Sequence, residues 1–420
     1  MHRYESYKPS GAAWLGDIPS HWDTVPAKRL FREVSEKNHP TAQLLSVTQE
    51  QGVLPRDQLE QRVVMPTGQL QTFKLVRSDD FVISLRSFQG GIEYSAYTGL
   101  VSPAYTVLRK QKQANSRYLK HLLKSRSFIS ELNTSVTGIR EGKNISFSEM
   151  SYSLLPIPEQ SEQEKIADIL DLKTAEIDAA IAKKERLIEL LDEQKYIAIN
   201  NAVTRGLNQA SPVQATDVQW IGTVPSHWSV SRAKFLFREI DERSETGNEE
   251  LLSVSHMTGV TPRSEKTNIY MFMAEDYSGS KLCKPNDLVF NIMWAWMGAL
   301  GVSERTGIVS PSYGVYRQRR EGIFNNWYLE NLLRSSAYVA EYNRRSTGLH
   351  SSRLRLYSHM FFDMEIAVPP REEQNEIERA TKARLEKTDA VISATRKELE
   401  KLTEFRATLI ESLVTGKIKA

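Results

Sequence analysis

Chemistry in this sequence would have to come from a few clusters of polar side chains. Asp79 and Asp80 precede Glu141-Gly142-Lys143, a carboxylate–lysine grouping of the kind that holds a metal ion and an attacking water in a nuclease. The matching place in the second half of the chain reads Ser351, Ser352, Arg353, so the grouping occurs once. Arg140 and Lys143 suit phosphate or base contact better than catalysis. Thr137, Arg140, Lys143 and Asn144 form one polar loop, and Arg86, Ser87, Gln89, Tyr94 and Tyr97 a second. Their counterparts further on are Thr347, His350, Ser351, Arg353 and Arg355, then Asn291, Trp294, Trp296 and Arg305. Cations of this kind neutralise phosphates, while arginine reads guanine and asparagine or glutamine reads adenine in a major groove. Any single arginine here reads equally well as a solvated surface charge; the loops taken as units point to DNA. His21 and His227 both sit in Pro-Ser-His-Trp, and duplication of the whole turn points to packing rather than to a catalytic imidazole.

What is missing narrows the field. The sequence carries no G-x-x-x-x-G-K-[ST] loop, no Asn/Asp-Pro-Pro-aromatic methyltransferase motif and no His cluster with metal-ligand spacing. No apolar run reaches membrane-spanning length, and the first residues lack the apolar core of a secretory signal. Cys283 is the single cysteine, which excludes a disulfide framework and fits a reducing cytoplasm. The formal net charge of +3 alone would not suggest nucleic acid. Its distribution says more: nine basic residues stand against two acidic ones between Arg109 and Lys143, and basic residues also outnumber acidic ones between Arg305 and Arg355.

Those two stretches occupy the same place in a repeat, because the chain is one unit written twice. WLGDIPSHWDTVPAKRLFRE from Trp14 and WIGTVPSHWSVSRAKFLFRE from Trp220 agree at twelve of twenty positions. LLSVTQEQGVLPR pairs with LLSVSHMTGVTPR as strand and hairpin, and Asp80–Ile83 with Asp287–Phe290 as a buried strand. TGLVSPAYTVLR pairs with TGIVSPSYGVYR, a strand whose Ser-Pro suits an edge or bulge, with Tyr105 and Tyr313 read as structural. YLKHLLKSRSFISEL and YLENLLRSSAYVAEY read as amphipathic helices. Between the matched blocks RSFQGGIEYSAY and NIMWAWMGALGVSER differ almost completely: a shared frame carries unlike tips.

Each copy runs into a long helix. The first spans 161 to about 205, opened by a Ser161–Glu164 capping box and stopped by Gly206; at 1.5 Å per residue it is roughly 60 Å long. Leu170, Ile177, Ile181, Ile188 and Leu191 line one stripe of it, and Ile392, Leu399, Leu402 and Leu409 line the stripe of its companion after Arg371. Glu162-Gln163 recurs as Glu373-Gln374. The expected division is 1–160 and 219–370 as two repeated domains, 161–207 and 371–420 as the long helices that follow them, and 208–218 as a polar linker.

The WLGxIPxHW opening, the TGxVSPxY segment, the Thr-Gly loop, the Pro-x-x-x-Glu-Gln helix entry and the doubling together resemble the DNA-specificity subunit of type I restriction-modification systems, along essentially the whole chain. The resemblance implies a mixed α/β fold of two pseudo-two-fold-related target-recognition domains, separated by two long antiparallel coiled-coil helices. It implies a subunit without a catalytic centre that recognises an asymmetric bipartite site on double-stranded DNA. Two methyltransferase subunits, and in the full complex two restriction subunits, would be positioned there, and S-adenosylmethionine, ATP and magnesium would belong to those partners. Two other readings remain at this point, a stand-alone endonuclease using Glu141 and Lys143, and a purely structural coiled-coil adaptor.

Overall fold

The computed structural model describes residues 2–49, 51–59, 69–111, 114–137, 144–208, 210–265, 276–348 and 354–420. The chain divides into two compact units, Met1–Arg186 with Thr395–Ala420, and Leu187–Ala394. Each unit owns part of both long helices, Gln160–Arg205 and Arg371–Val414.

Unit 1 is built on a four-stranded antiparallel sheet in the order Phe31–Val34, Thr106–Lys110, Phe81–Ile83, Glu93–Tyr94. Unit 2 repeats it as Phe237–Glu239, Gly314–Gln318, Leu288–Phe290, Leu300–Val302. The LLSV segments form the expected hairpins, Leu45–Thr48 with Gly52–Pro55 and Leu252–Ser255 with Gly259–Pro262. The Ser-Pro segment is a turn rather than a bulge. It carries the chain from Gly99–Val101, paired with Lys74–Val76, into Thr106–Lys110 of the larger sheet. The amphipathic stretch is two helices, Ser116–Leu122 and Arg126–Leu132, because the buried Ser125 hydroxyl bonds back to Leu122 and turns the chain. Part of the segment read as linker is strand: Val213–Ala215 pairs with Thr223–Pro225, as Tyr7–Pro9 pairs with Asp17–Pro19.

Both cores are aromatic. Trp22, Phe31, Phe81, Tyr118 and Phe128 pack with Ile166, Leu170 and Ile177 of the first long helix and Leu409, Leu413 and Val414 of the second. In unit 2, Trp228, Phe237, Phe290, Tyr328 and Phe361 pack with Val203 and Ile377. Within unit 1 the helices run antiparallel, since Asp178 meets Arg406 at 3.1 Å while Lys184 meets Glu398. Asp389 and Lys195, the equivalents of Asp178 and Arg406, pair in unit 2. The stripe residues are buried or half-buried, whereas Leu187 beside them is exposed.

The start of each long helix differs from a capping box. The first helix begins at Gln160, and its first turn is held from outside. Glu162 accepts from the Trp22 indole at 3.0 Å, from Tyr4 at 2.7 Å, and meets His21 at 2.9 Å. Glu373 repeats this with Trp228 at 3.1 Å and His227 at 2.7 Å. The neighbouring Gln163 and Gln374 each accept from the backbone N–H of the residue that caps an earlier helix, Asn115 and Asn325, both at 2.8 Å. At the other end, Gly206 and Gly416 take positive φ, and a side chain on Gly416 would strike Pro19. The tryptophans of the repeated turn are therefore the packing groups, and the histidines are half-exposed partners of the same glutamates. Among the described residues, no helix is long and apolar enough to cross a membrane.

Candidate nucleic-acid interface

Within each unit the described ends of one candidate loop lie beside the other loop. In unit 1 the chain leaves Phe81–Ile83 into a tight turn in which Ser84 N–H donates to Ser87 Oγ at 2.8 Å and Gln49 donates to the Arg86 carbonyl at 3.0 Å. A one-turn helix, Ser87–Gly90, follows and packs beside Asn144–Ile145, whose backbone pairs with Val136–Thr137. In unit 2 the tie is a hydrogen bond: Leu356 N–H donates to the Ile292 carbonyl at 3.1 Å, just beyond the reciprocal pair between Thr347 and Arg355 at 3.1 and 2.9 Å.

The candidates differ in exposure. Arg86, Gln89 and Tyr97 are exposed in unit 1; Trp294, Arg305 and Thr347 are exposed in unit 2, and Arg355 is half-buried. Ser87 is buried and spent on its own turn, so it is not a contact residue. Asn291 is also buried, donating to Tyr313 at 2.9 Å, and it positions the tip instead of reading through it. Tyr94 packs edge-on against Phe81 and donates to Asp79 at 3.2 Å, a structural role. Trp296 is half-buried and donates to the Met293 carbonyl at 3.1 Å, while Trp294 stacks on it at 6.4 Å and stands half-exposed. Trp296 is thus the backing of a platform and Trp294 its face. Arg140, Lys143, Glu141, His350, Ser351 and Arg353 lie outside the described residues, as do the side chains of Thr137 and Asn144.

Behind the tips lies a buried ion pair rearranged between the copies. Glu93, on the edge strand of unit 1, bonds Lys124 at 2.7 Å, and Lys124 also donates to the Gln49 carbonyl. Burial pushes the Glu93 carboxyl up to about 7 against the opposing pull of Lys124. In unit 2 the strand position is Gly301, and the carboxylate comes from the helix as Glu330, bonding Arg334 at 2.9 Å and the Val302 N–H at 2.9 Å. Arg334 reaches the His256 carbonyl, the equivalent of Gln49. Burial raises the Glu330 carboxyl as well. The same charges occupy the same place from different elements.

No family model matches the chain. In sequence it is similar to the type I restriction enzyme MjaVIII specificity subunit of Methanocaldococcus jannaschii, 23% identical over 362 residues, 82% of this chain and 80% of that protein. In fold it is similar to a chain from a structure of complex assembly and conformational transition in the type I R-M system, with a TM-score of 0.62 at 15% identity over 96% of this chain and 99% of that one. The HsdS subunit from Thermoanaerobacter tengcongensis gives 0.50 at 14% identity, covering 96% and 98%. The chain is thus similar in sequence to a type I specificity subunit and in fold to chains of type I systems.

Of the nuclease-like set, Asp79 and Asp80 are engaged within the frame. Asp80 holds Arg109 through two bonds, 2.9 and 2.8 Å, with Glu36 on the same guanidinium at 2.6 Å. Asp79 pairs with Lys110 at 2.7 Å. Asp287, Arg317 and Glu242 repeat the three-residue network at 2.7, 2.7 and 3.2 Å. Arg109 and Arg317 are therefore frame residues, although the sequence counted both among its basic stretches. These carboxylates push both guanidinium groups further up, so they stay charged. Arg344 and Arg345 are likewise bound to Glu341. The local basic face of unit 2 is correspondingly smaller than its arginine count.

Sequence reasoning found that Glu-Gln recurs but not that it anchors each helix, and it missed the Glu93–Glu330 exchange. The first carried a signal, since Glu-Gln and His-Trp both recur in both copies. The second carried none, because its partners change elements.

Proposed function

We propose that this chain is the non-catalytic DNA-specificity subunit of a type I restriction-modification complex, and that it reads an asymmetric, two-part duplex site. The observation that carries the reading is a repeated frame with unlike tips. The sheet, hairpin and helix entry recur residue for residue, while Arg86 and Gln89 stand where unit 2 presents a tryptophan platform. Recognition by hydrogen bonds at one tip and by a flat aromatic face at the other implies two different half-sites. Likeness to proteins named for specificity supports it.

On this reading methyl transfer belongs to two partner subunits that bring S-adenosylmethionine, and cleavage to ATP- and magnesium-dependent restriction subunits, all in the cytoplasm. The target adenine is extruded by the partner, and this chain decides where. The paired long helices fix the unread gap between the half-sites, so whole turns inserted into Glu185–Glu193 and the facing part of the second helix lengthen that gap without changing the bases read. The deciding experiment is genome-wide methylation mapping with and without the gene. Loss of one gapped motif is the expected result; an unchanged methylome sinks the reading. The purified chain with magnesium leaves DNA intact, and cleavage abolished by Glu141→Ala would favour the nuclease instead.

A further inference from the structure

A groove of about 1140 Å³ opens in unit 2 between the helix Asn326–Leu333 and the start of the second long helix. The internal repeat supplies a control for it. Asn115 and Asn325 are bonded by Gln163 and Gln374 in the same way, so the residues that follow can be matched one to one. In unit 1 the place is shut: Arg117 bridges to Asp168 at 2.8 Å and Asp171 at 2.6 Å, and His121 meets Asp171 at 2.8 Å. In unit 2 all four positions have changed. Trp327 replaces Arg117, Asn331 replaces His121, and Arg379 and Lys382 replace the two aspartates. No bridge can form between a tryptophan and a lysine, and the space stays open.

The helix wall has gained positive charge. Arg371 stands where unit 1 has Gln160, and its Nη1 is buried without a hydrogen-bond partner among the described residues. Arg319, where unit 1 has Gln111, spends its Nε on the Lys234 and Phe237 carbonyls and keeps its outer nitrogens for the groove. Arg238 adds a further exposed guanidinium. Such forks match carboxylates and phosphates. Four carboxylates line the groove as well: Glu304 and Glu321, together with Glu330, paired with Arg334, and Glu378, paired with Lys382. A uniformly charged duplex would meet repulsion there, whereas a peptide with a local acidic cluster would not. The groove also lies at the Asn286 end of the strand Leu288–Phe290, with the tip residues at the other end. Small-molecule pockets are mostly apolar, unlike this charged and amide-lined space.

We propose that this groove docks an acidic polypeptide segment of a partner protein, at unit 2 and not at unit 1. The consequence is that two copies of one partner, bound to the two units, are held unequally. The proposal is independent of the DNA reading.

The test is anisotropy of a labelled peptide carrying a short glutamate cluster flanked by neutral residues, titrated with the full chain. Saturable one-to-one binding is expected. Arg371→Gln with Lys382→Asp, which restores the residues unit 1 carries, should weaken it about tenfold or more, the scale of a lost charge-assisted bond. Trp327→Arg with Lys382→Asp, which rebuilds the closing bridge, should abolish it with unchanged thermal unfolding; if that variant does not fold, the first pair decides. Absence of saturable binding to the unaltered chain, or equal binding by the variants, overturns the proposal. So does displacement by random-sequence duplex DNA that weakens in the same variants, which makes the groove a nucleic-acid site. Both variant pairs retain duplex DNA like the parent. A parent chain that binds the peptide but no DNA contradicts the specificity reading alone.

Discussion

The Trp22 indole N–H donates to Glu162 Oε2 at 3.0 Å, and His21 lies 2.9 Å from the same oxygen. One carboxylate in the first turn of a 46-residue helix thereby ties it to a turn 140 residues earlier in the chain. The negative charge also suits the positive end of the helix dipole. Trp228, His227 and Glu373 repeat the arrangement.

Removing that carboxylate should be costly. Trp22 is fully buried, and Glu162→Ala leaves its N–H without an acceptor, at about 1–3 kcal/mol for an orphaned buried donor. Glu373→Ala should cost less, because Glu162 also accepts from Tyr4 and Glu373 has no such third partner among the described residues. Urea unfolding of the two variants gives the order, and Glu162→Gln, which keeps an acceptor, should fall nearer the parent. Equal stability of all four proteins would remove the clamp from the account.

Glu93 predicts a pH effect of definite sign. Burial holds its carboxyl up to about 7 in the fold, against an ordinary value of 4.5. As pH rises from 4.5 towards 7, the unfolded chain gives up the proton while the folded chain keeps it, so stability falls through that window. Glu93→Gln should flatten this slope. Urea midpoints on either side of the window check it; an unaltered slope in the variant contradicts it.

The recurring frame was legible because packing residues recur: Trp, Leu and Phe at fixed places dictate the same burial twice. Pro-Ser-His-Trp could be read as packing for that reason. Its partner could not, since Ser161 and Glu164 mimic a local cap while Glu162 is satisfied across the fold. The Ser-Pro step looked like a defect in one strand because sequence does not record that the chain changes sheets there. At the tips, Ser87 and Asn291 have the composition of contact residues. A polar side chain in a loop looks alike whether it faces water or bonds its own turn, and only their burial separates them from Arg86 and Trp294.

Gly301 should resist any side chain. A Cβ there would lie 2.7 Å from the Val260 nitrogen and 2.8 Å from the Gly259 Cα, both backbone atoms that cannot swing aside. Gly301→Ala is expected to cost about 1–3 kcal/mol by overpacking, read by urea unfolding. A neutral outcome would mean that the two strands separate easily, and that the shift of the carboxylate from strand to helix has another cause.

The tips should differ in how they respond to salt. Arg86→Ala removes a cation, so it should weaken duplex retention and reduce the slope of log affinity against log salt by about one. Trp294→Ala removes a stacking face without charge, about 1–3 kcal/mol if a base or sugar rests on it, and should leave the slope unchanged. Filter binding over a salt series separates the two; the same slope change in both variants would contradict these roles.

The most direct test of the central claim is selection from random duplex DNA by the chain with its methyltransferase partner, for the parent, Arg86→Ala and Trp294→Ala. The account predicts a gapped sequence of two unlike parts, with Arg86→Ala relaxing one part and Trp294→Ala the other. A single continuous sequence, or both variants relaxing the same part, would contradict it.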